Sequence, residues 1–398
     1  MIFLITIMMC YVFYGLSTTL FPSVWVRFAE DIGAEYTLIG VISVISTAMT
    51  GIMGAVTYKL RNKFGTSITT SIGVVFFAMS LLLYYFTKSL SLVCLALAFA
   101  GIGAGIMEIT CNSYVIKAYD AGKQTLMHAF WGLGSTIAPM IMSFTMVHTS
   151  SYKNGFLYVA IALVVLLIIM IILKIYWNNK KKSLPEEYVS LHSVSKEEKQ
   201  TNTNLWDIVK IPNGVLFLIC YVTLGAINSI DNTWLATLVM QKGSNFAATA
   251  GATAATFFFA TTTATRVLHG LMAKGLNEVK VIYAEIFITI ITPALLFFVN
   301  DNIYFMYVVA ALMGIGVALI VPLLCHSIKY LFEEKYLGMI VSCSTLASFT
   351  GCAIMNAFTS IMIKNFGINS FQVIIIILAV IGLFTFKELQ KRVIVVKK

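Results

Sequence analysis

Hydrophobic residues occur along the chain in twelve long runs, each about the length of a membrane-spanning helix. A helix needs about 20 consecutive apolar residues to cross the hydrocarbon core of a bilayer. The runs cover residues 1–29, 37–58, 67–87, 91–118, 124–148, 154–177, 212–241, 247–272, 279–299, 303–330, 336–363 and 368–387. The pattern therefore predicts an all-α integral membrane protein with twelve transmembrane helices.

The composition agrees with this prediction. Hydrophobic residues make up 59% of the chain and charged residues only 11%, whereas about 25% of residues are charged in soluble domains. The first run has neither a basic leading region nor a small-residue cleavage site, so we interpret it as a retained helix and not a signal peptide. The seven cysteines lie within predicted spans without paired spacing, which is typical of buried small hydrophobic residues. We expect no metal ion and no cofactor.

One polar segment is longer than the others and divides the predicted spans six from six. It is predicted to be a cytoplasmic linker over 179–211. An N-terminal six-helix bundle over 1–178 and a C-terminal six-helix bundle over 212–398 would then flank it.

The two halves repeat each other. Cys10-Tyr-Val-Phe-Tyr-Gly15 recurs as Cys220-Tyr-Val-Thr-Leu-Gly225, and Gly101-Ile-Gly103 recurs as Gly314-Ile-Gly316. An even number of helices in each half leaves both copies in the same orientation across the membrane. The sequence therefore predicts a parallel repeat about an axis along the membrane normal.

The net charge of +10 arises from basic residues that concentrate on one side of the predicted membrane. The exceptions among the 27 basic residues are Arg27, Lys88, Lys153, Lys242 and Lys364. The positive-inside rule then places both termini and the linker in the cytoplasm, and we expect the plasma membrane. The basic excess orients the chain and binds anionic headgroups, so it does not indicate nucleic-acid binding.

Glu108 is the carboxylate that we expect deep in the hydrocarbon, in the fourth span. An ionised side chain at that depth costs about 2.5 to 3.5 kcal/mol, so such residues usually line a pathway or have a partner. Asn112 follows one turn later on the same helical face. A carboxyl here could bind a proton on one side of the membrane and release it on the other. Alternatively, it could hydrogen-bond neighbouring helices without ever titrating.

Two adjacent segments carry a specific family resemblance. Gly105-Ile-Met-Glu108-Ile-Thr-Cys-Asn112-Ser-Tyr114 resembles the Gly-x-x-Glu-Thr-x-x-Asn-x-Tyr/Phe signature of the fucose, galactose and glucose proton symporters of the major facilitator superfamily. His128-Ala-Phe-Trp131-Gly-Leu-Gly134-Ser-Thr-Ile-Ala-Pro139 is similar to the Gln-x-Phe-Asn-Gly-Leu-Gly-x-x-x-x-Pro segment of that branch. The resemblance implies two parallel six-helix bundles, a solute site between them near the midplane, and alternating access.

Site residues follow from the same resemblance. It implies that Glu108 binds the coupled proton and that Asn112 forms a polar wall of the sugar site. His128 stands where the branch has Gln and Trp131 where it has Asn, so the identity of the solute stays open. His128 could hydrogen-bond the solute or share a proton with Glu108, or it could be a neutral structural histidine.

The sequence departs from the family pattern at two places. Leu16 to Phe28 contains no acid, although the branch has an aspartate in this helix. The loop motif between the second and third spans keeps only Gly65, with Lys63 replacing Arg and Asn62 replacing Asp. We expect a weaker gate that uses Lys63, and Arg266 at the inner end of the eighth span is a second gate candidate. Arg266 could instead extend its charge to the membrane surface.

Further polar residues lie in the second half. Asn228, Asp231 and Asn232 share one face of the seventh span, with Trp234 beside them, and hydrogen-bonding groups next to an aromatic ring suit a sugar. Alternatively, Asp231 lies in interfacial water with Trp234 in the aromatic belt, or Asp231 helps to bind Na⁺. Asn356 in the eleventh span is either a cavity residue or the donor of a helix-to-helix hydrogen bond.

These observations predict a secondary active transporter that moves a small polar solute, a monosaccharide, with a proton or Na⁺, and that works as a monomer. The sequence lacks phosphate-binding loops, metalloprotease motifs and nucleophile motifs, so we expect no enzyme activity. Two alternatives stay open. One is an exporter or a carrier of a more apolar, lipid-like solute on the same fold, and the other is a membrane receptor that transports nothing.

Overall fold

The computed structural model describes residues 2–118, 121–149, 151–179, 205–243, 246–272, 276–298, 302–333 and 336–396. Most of the predicted linker lies outside these residues. Thirteen α-helices occur in the described chain: α1 (Ile2–Ser23), α2 (Trp25–Ile32), α3 (Ile39–Phe86), α4 (Leu90–Ala118), α5 (Ala121–His148), α6 (Lys153–Asn179), α7 (Gly214–Lys242), α8 (Ala250–Met272), α9 (Glu278–Leu295), α10 (Ile303–Val317), α11 (Ile320–Leu331), α12 (Leu337–Phe366) and α13 (Ser370–Val396). Short 3₁₀ helices occupy Tyr36–Leu38 and Leu205–Lys210.

Every predicted span coincides with helix, which confirms the all-α class. The second and third spans form the two arms of α3, which bends at Gly65, where φ is +79° and favours glycine. By length and apolar composition, ten segments of the described chain could each cross a membrane. The helices α8 and α9 are not among them, because α8 is rich in threonine and α9 carries Glu278, Lys280 and Glu285.

The chain divides into two compact units. The first contains Met1–Tyr36 and Ile45–Glu198, and the second contains Thr37–Val44 and Lys199–Lys398. The start of α3 thus groups with the second unit. The exact extent of the predicted linker stays a prediction.

In the first unit, α1 and α5 approach each other so closely that their backbones touch. A Cβ atom at Gly15 would overlap the Trp131 carbonyl, and one at Gly134 would overlap the Val12 carbonyl. Glycine is therefore required at both positions, as at other close helix contacts in membranes. The contact holds Tyr11 and Tyr14 of α1 beside the side chains that α5 contributes to the candidate site.

A second close contact joins α4 to the first arm of α3. Gly101 lies against the Ser46 carbonyl and Gly105 against the Thr50 carbonyl. The Thr50 hydroxyl also donates a hydrogen bond to the Gly101 carbonyl, at 3.2 Å. Glycines one turn apart thus seat α4, the helix that carries Glu108, against α3.

In the second unit, α7 packs against α12 and α13, and the predicted tenth span is not continuous. It consists of α10 and α11, with a break at Ala318 and Leu319. Pro322 explains the break, because it lacks the N–H that would bond to the Ala318 carbonyl and its ring crowds that carbonyl. The predicted span over 303–330 is confirmed as one candidate membrane crossing, and the break inside it is a feature that the sequence analysis did not predict.

The cysteines are free thiols. Burial agrees with the expectation at Cys10, Cys111, Cys220 and Cys343. It is wrong at Cys325, which lies on an exposed face of α11 with its Sγ 3.0 Å from the Tyr221 hydroxyl oxygen.

We predict that Gly134→Ala destabilises the protein by about 1 to 3 kcal/mol, because the added methyl group forces α1 and α5 apart. Gly54→Ala is the matched control, since a Cβ there meets nothing within 4 Å. It should leave stability unchanged or raise it by up to ~1 kcal/mol. Thermal unfolding in detergent micelles measures both variants, and equal stability of the two would contradict the described contact.

Candidate functional site

The carboxyl group of Glu108 lies at the centre of a hydrogen-bonded cluster in the first unit. Asn112 Nδ2 donates to Glu108 Oε1 at 2.6 Å, and the Tyr11 hydroxyl donates to Oε2 at 3.5 Å. The Tyr14 hydroxyl also hydrogen-bonds this carboxyl. Glu108 is half-buried. It is therefore held by three side chains from two helices, α1 and α4.

Aromatic rings surround this carboxyl on the α5 side. The Tyr11 and His128 rings meet edge to face with centroids 5.6 Å apart, and the Tyr14 and Trp131 centroids are 6.4 Å apart. On its other side, Tyr14 stacks on Phe77 at 5.9 Å. The predicted residues Asn112, His128 and Trp131 thus come together around the two tyrosines that contact Glu108. Their roles stay a prediction.

Sequence reasoning missed Tyr11 and Tyr14. Both belong to Cys10-Tyr-Val-Phe-Tyr-Gly15, which served only to reveal the internal repeat. Their spacing of three residues puts both hydroxyls on one helical face. The available signal was the pair of hydroxyls on one face of a predicted span. This signal does not identify the helix that the two hydroxyls contact.

In the second unit, the predicted row on α7 is deeply buried. Asp231 is 1% exposed and Trp234 is fully buried, so the interpretation that places Asp231 in interfacial water and Trp234 in an aromatic belt is wrong. Asn228 and Asn232 are partly buried. Asp231 and Trp234 are buried because neighbouring helices pack over them. Their position along α7 alone does not predict this burial.

Several polar atoms of this row have no hydrogen-bond partner within the described part of the chain. They are Asp231 Oδ1, Asn232 Oδ1, Trp234 Nε1 and Thr237 Oγ1. A buried polar group without a partner costs about 1 to 3 kcal/mol. Clusters of such groups are rare in native proteins and call for an explanation.

Asn356 on α12 adds to the same region. Its Nδ2 donates to Ser229 Oγ of α7 at 2.8 Å and to the Cys352 carbonyl at 3.0 Å. The predicted helix-to-helix bond therefore exists. Among the described residues, Asn356 Oδ1 and the Ser360 hydroxyl one turn later have no partner. Asn356 is thus both a link between helices and a source of one unused acceptor.

The two predicted gate residues have different surroundings. Lys63 is exposed, with its Nζ 5.2 Å from the centroid of the Phe64 ring. Arg266 Nε donates to the Ala318 carbonyl at 2.9 Å, and the guanidinium charge interacts with Glu285. The interpretation that Arg266 extends to the membrane surface is therefore wrong, because its head group bonds within the protein.

Glu285 on α9 is a buried carboxylate, like Asp231, and sequence reasoning overlooked it because Glu108 was taken as the acid deep in the hydrocarbon. It is 4% exposed, and its two oxygens accept the Leu319 N–H at 3.1 and 2.9 Å. The signal was present, because Glu285 lies inside the predicted span 279–299, and the rule applied to Glu108 marks it equally.

The fold and this set of side chains can now be compared with known proteins. A family model described as Major Facilitator Superfamily matches residues 7–300 and 245–391. The chain belongs to the major facilitator superfamily. It is therefore a multi-pass membrane transporter and not an enzyme. No curated protein matches the chain.

Solved structures support the same fold. A crystal structure of a point mutant of the nucleoside transporter NupG superposes with a TM-score of 0.74 at 12% identity, covering 97% of this chain and 98% of that one. The peptide transporter POT in complex with sulfate gives a TM-score of 0.69 at 12% identity, covering 97% and 94%. At this identity the likeness establishes the major facilitator fold alone.

We predict that Asp231→Asn raises the thermal stability of the protein without solute or leaves it unchanged. The amide removes the cost of a buried charge that has no hydrogen bond to Oδ1 from any described residue. The matched control is Asp31→Asn, which should lower stability, because the Tyr152 hydroxyl donates to Asp31 at 2.8 Å and an amide oxygen accepts this bond more weakly than a carboxylate does. Thermal unfolding in detergent measures both, and a clear loss of stability in Asp231→Asn would contradict the prediction.

Proposed function

We propose that this protein is a secondary active transporter that couples proton movement through Glu108 to the transport of a small polar solute, with monosaccharides as the solute class. The observation that carries the proposal is the half-buried Glu108 carboxyl held by Asn112, Tyr11 and Tyr14. The resemblance of the fourth and fifth spans to the fucose, galactose and glucose symporters supports it.

The surroundings of Glu108 suit a group that gains and loses a proton. A tyrosine hydroxyl can donate to a carboxylate and can also accept from a protonated carboxyl, whereas the amide nitrogen of Asn112 donates in both cases. The cluster can therefore satisfy both states of Glu108 by rotating hydroxyl hydrogens. A carboxyl fixed permanently in one state would not need two partners that reverse their direction.

Protonation also removes a charge that is costly to carry through an apolar environment. In alternating access, a neutral Glu108 would accompany the solute through the closed state and release its proton on the far side. The gradient of protons then drives accumulation of the solute. The chain carries no phosphate-binding loop for nucleotide-driven transport.

The row on α7 and α12 is the part of the proposal that binds solute. Trp234 Nε1 and the Thr237 hydroxyl can donate hydrogen bonds, and the oxygens of Asp231, Asn232 and Asn356 can accept them. Each sugar hydroxyl both donates and accepts, so such a mixed set suits it. A bound solute would satisfy groups that are otherwise costly to bury.

A second candidate solute has a flat or apolar face. The rings of Phe77, Tyr14 and Trp131 form a continuous aromatic wall, in place of the asparagine that the resemblance would put at 131. Such a wall favours an aromatic or lipid-like solute, carried inward or exported. A non-transporting receptor is the remaining alternative, and it would bind solute without accumulation.

The proposal also includes the orientation and the state of the protein in the cell. The concentration of basic residues on one side supports cytoplasmic termini. We propose the plasma membrane as the location and the monomer as the working unit.

We predict that Glu108→Gln preserves exchange of solute across the membrane but abolishes accumulation driven by a pH gradient, because glutamine keeps the hydrogen bonds and cannot carry a proton. Proteoliposomes with an imposed gradient and a radiolabelled solute measure both activities. Glu30→Gln is the control, since Glu30 is exposed and paired with Arg27. Full accumulation by Glu108→Gln would refute the coupling role.

We predict that a sugar ligand raises the unfolding temperature of the wild type and that Asn356→Ala loses this shift. At 100 times Kd, a ligand adds about 2.7 kcal/mol of stability. Asn365→Ala is the matched control, because Asn365 lies on the same helix with an exposed side chain. A thermal-shift screen over sugars, nucleosides and lipid-like compounds at two pH values tests this. Equal ligand shifts in both variants would remove α12 from the site.

A further inference from the structure

The break in the tenth span leaves two backbone groups without helical partners. Pro322 cannot bond to the Ala318 carbonyl. Leu319 has left the helical path, so its N–H makes no helical bond and points to Glu285 instead. In a membrane, such groups must find partners inside the protein.

Each of these two backbone groups forms a hydrogen bond with a charged side chain from another helix. Arg266 Nε of α8 donates to the Ala318 carbonyl at 2.9 Å, and Glu285 of α9 accepts the Leu319 N–H with both oxygens. The signs match the helix dipoles, since the cation lies at the carbonyl end of α10 and the anion at the amide end of α11. The break is therefore held by two side chains of opposite charge.

Neutral hydrogen bonds fix the chain just before the break. Thr289, one turn from Glu285 on α9, donates to the Gly316 carbonyl at 2.8 Å. Thr262, one turn from Arg266 on α8, donates to the Gly314 carbonyl at 3.0 Å. These bonds hold α10 whatever the pH. By contrast, the bond at the start of α11 depends on a carboxylate.

We propose that Glu285 is a second proton-binding site, and that its protonation loosens α11 at the break while α10 stays fixed. The inference rests on the proposed function, because it assumes that protons drive transport. A proton from water adds to the carboxylate, and a neutral carboxyl then replaces the anion. The charge-assisted bond to Leu319 weakens, and the attraction between this carboxylate and Arg266, which does not deprotonate, is lost.

Protonation thus weakens both the bond to the Leu319 N–H and the attraction to Arg266, and it favours a rearrangement at this point. The released N–H belongs to Leu319, the residue directly before α11, so α11 is the segment that moves. Glu285 would act as a positioning residue for α11, and Glu108 would remain the residue that couples the proton to transport. The two sites lie in different units of the chain and can be tested separately.

Other titratable groups near α9 and α11 must be distinguished from Glu285. At the far end of α11, His326 Nδ1 lies 2.9 Å from Glu278 Oε1, and Lys329 Nζ lies 2.6 Å from His326 Nε2. The remaining titratable groups on the elements packed against α9, and on α8, are Tyr304 and Tyr307 on α10, Cys325 and Tyr330 on α11, Lys387, Glu388, Lys391 and Arg392 on α13, and His269 on α8. Arg266 is the charge that acts on Glu285.

Glu278 provides a matched control. It lies on the same helix, faces the same segment α11, and pairs with His326 at the exposed end, whereas Glu285 is buried at the break. Both are glutamates, so Glu278→Gln and Glu285→Gln make the same chemical change. A difference between the two variants is therefore due to the position of Glu285 at the break, because both variants lose one charge on α9.

The experiment uses the full chain in lipid nanodiscs and the proton as its only ligand. Infrared difference spectra over a pH titration record the band of each carboxyl that becomes protonated. A spin label at Tyr330→Cys, in a background without other cysteines, reports the mobility of α11, because Tyr330 is 54% exposed. Both measurements are made on the wild type and on Glu285→Gln, Glu278→Gln and Glu108→Gln.

We expect Glu285→Gln to lose one carboxyl band and to abolish the rise in label mobility at low pH. Glu278→Gln and Glu108→Gln should each lose at most the band of their own carboxyl, and both should keep the Glu285 band and the rise in label mobility. The inference is overturned if the Glu285→Gln spectrum keeps every band, if the label still responds to pH in that variant, or if Glu278→Gln abolishes the response equally. Should Glu285→Gln fail to fold, Glu285→Asp replaces it, and an unchanged titration of the band and the label overturns the inference.

The outcomes for the two proton sites are separable. If Glu108→Gln loses no band and retains accumulation while Glu285→Gln behaves as expected, the role of Glu108 fails and the site at the break stands. If Glu108→Gln loses a band and Glu285→Gln does not, the role of Glu108 stands and the site at the break fails. Loss of the α11 response in Glu108→Gln would overturn the inference, because mobility would then follow Glu108.

Discussion

Hydrocarbon offers no hydrogen bonds, so each polar group inside the spanning helices must be satisfied by the protein or by a ligand. Three polar groups in this chain meet that requirement to different degrees and with different partners. Glu108 is satisfied by side chains, through Asn112 and two tyrosines. Glu285 is satisfied by the backbone, through the N–H that a break in the tenth span releases. The row around Asp231 is left partly unsatisfied, which is the property expected of a site that awaits a ligand.

The same constraint underlies the roles that we propose for these groups. A carboxyl with partners that reverse direction suits a proton carrier. A carboxyl that bonds to a helix end suits the control of that helix. Polar atoms without partners suit a solute, because binding removes their cost. Functional roles in this protein can therefore be inferred from how each buried group is satisfied, and from what would change if it gained a proton.

Much of this arrangement could be predicted from the sequence. The runs of apolar residues locate the helices, and the spacing of Glu108 and Asn112 predicts the 2.6 Å bond between them, since residues four apart share a helical face. The partners on other helices could not be predicted. Tyr11 contacts Glu108 only because α1 packs against α4 and α5. The burial of Asp231 likewise depends on which helices cover α7.

The case of Glu285 is different, because both of its signals are local. An acid in the middle of a predicted span and Pro322 inside another were each visible in the sequence. What the sequence lacks is the pairing of the two, which joins residues far apart in the chain. Pattern analysis identifies groups that need partners, and only the folded structure identifies which partners they have.

The backbone contact at Gly15 and Gly134 has a consequence for how such transporters change over evolutionary time. The spacing of α1 and α5 is fixed where main-chain atoms meet at these glycines, and the rings at 128 and 131 pack beside that contact, on Tyr11 and Tyr14. A substitution at 128 or 131 can therefore change the side chains of the candidate site while the two backbones keep their contact. A new solute preference could then arise by single substitutions without a new scaffold.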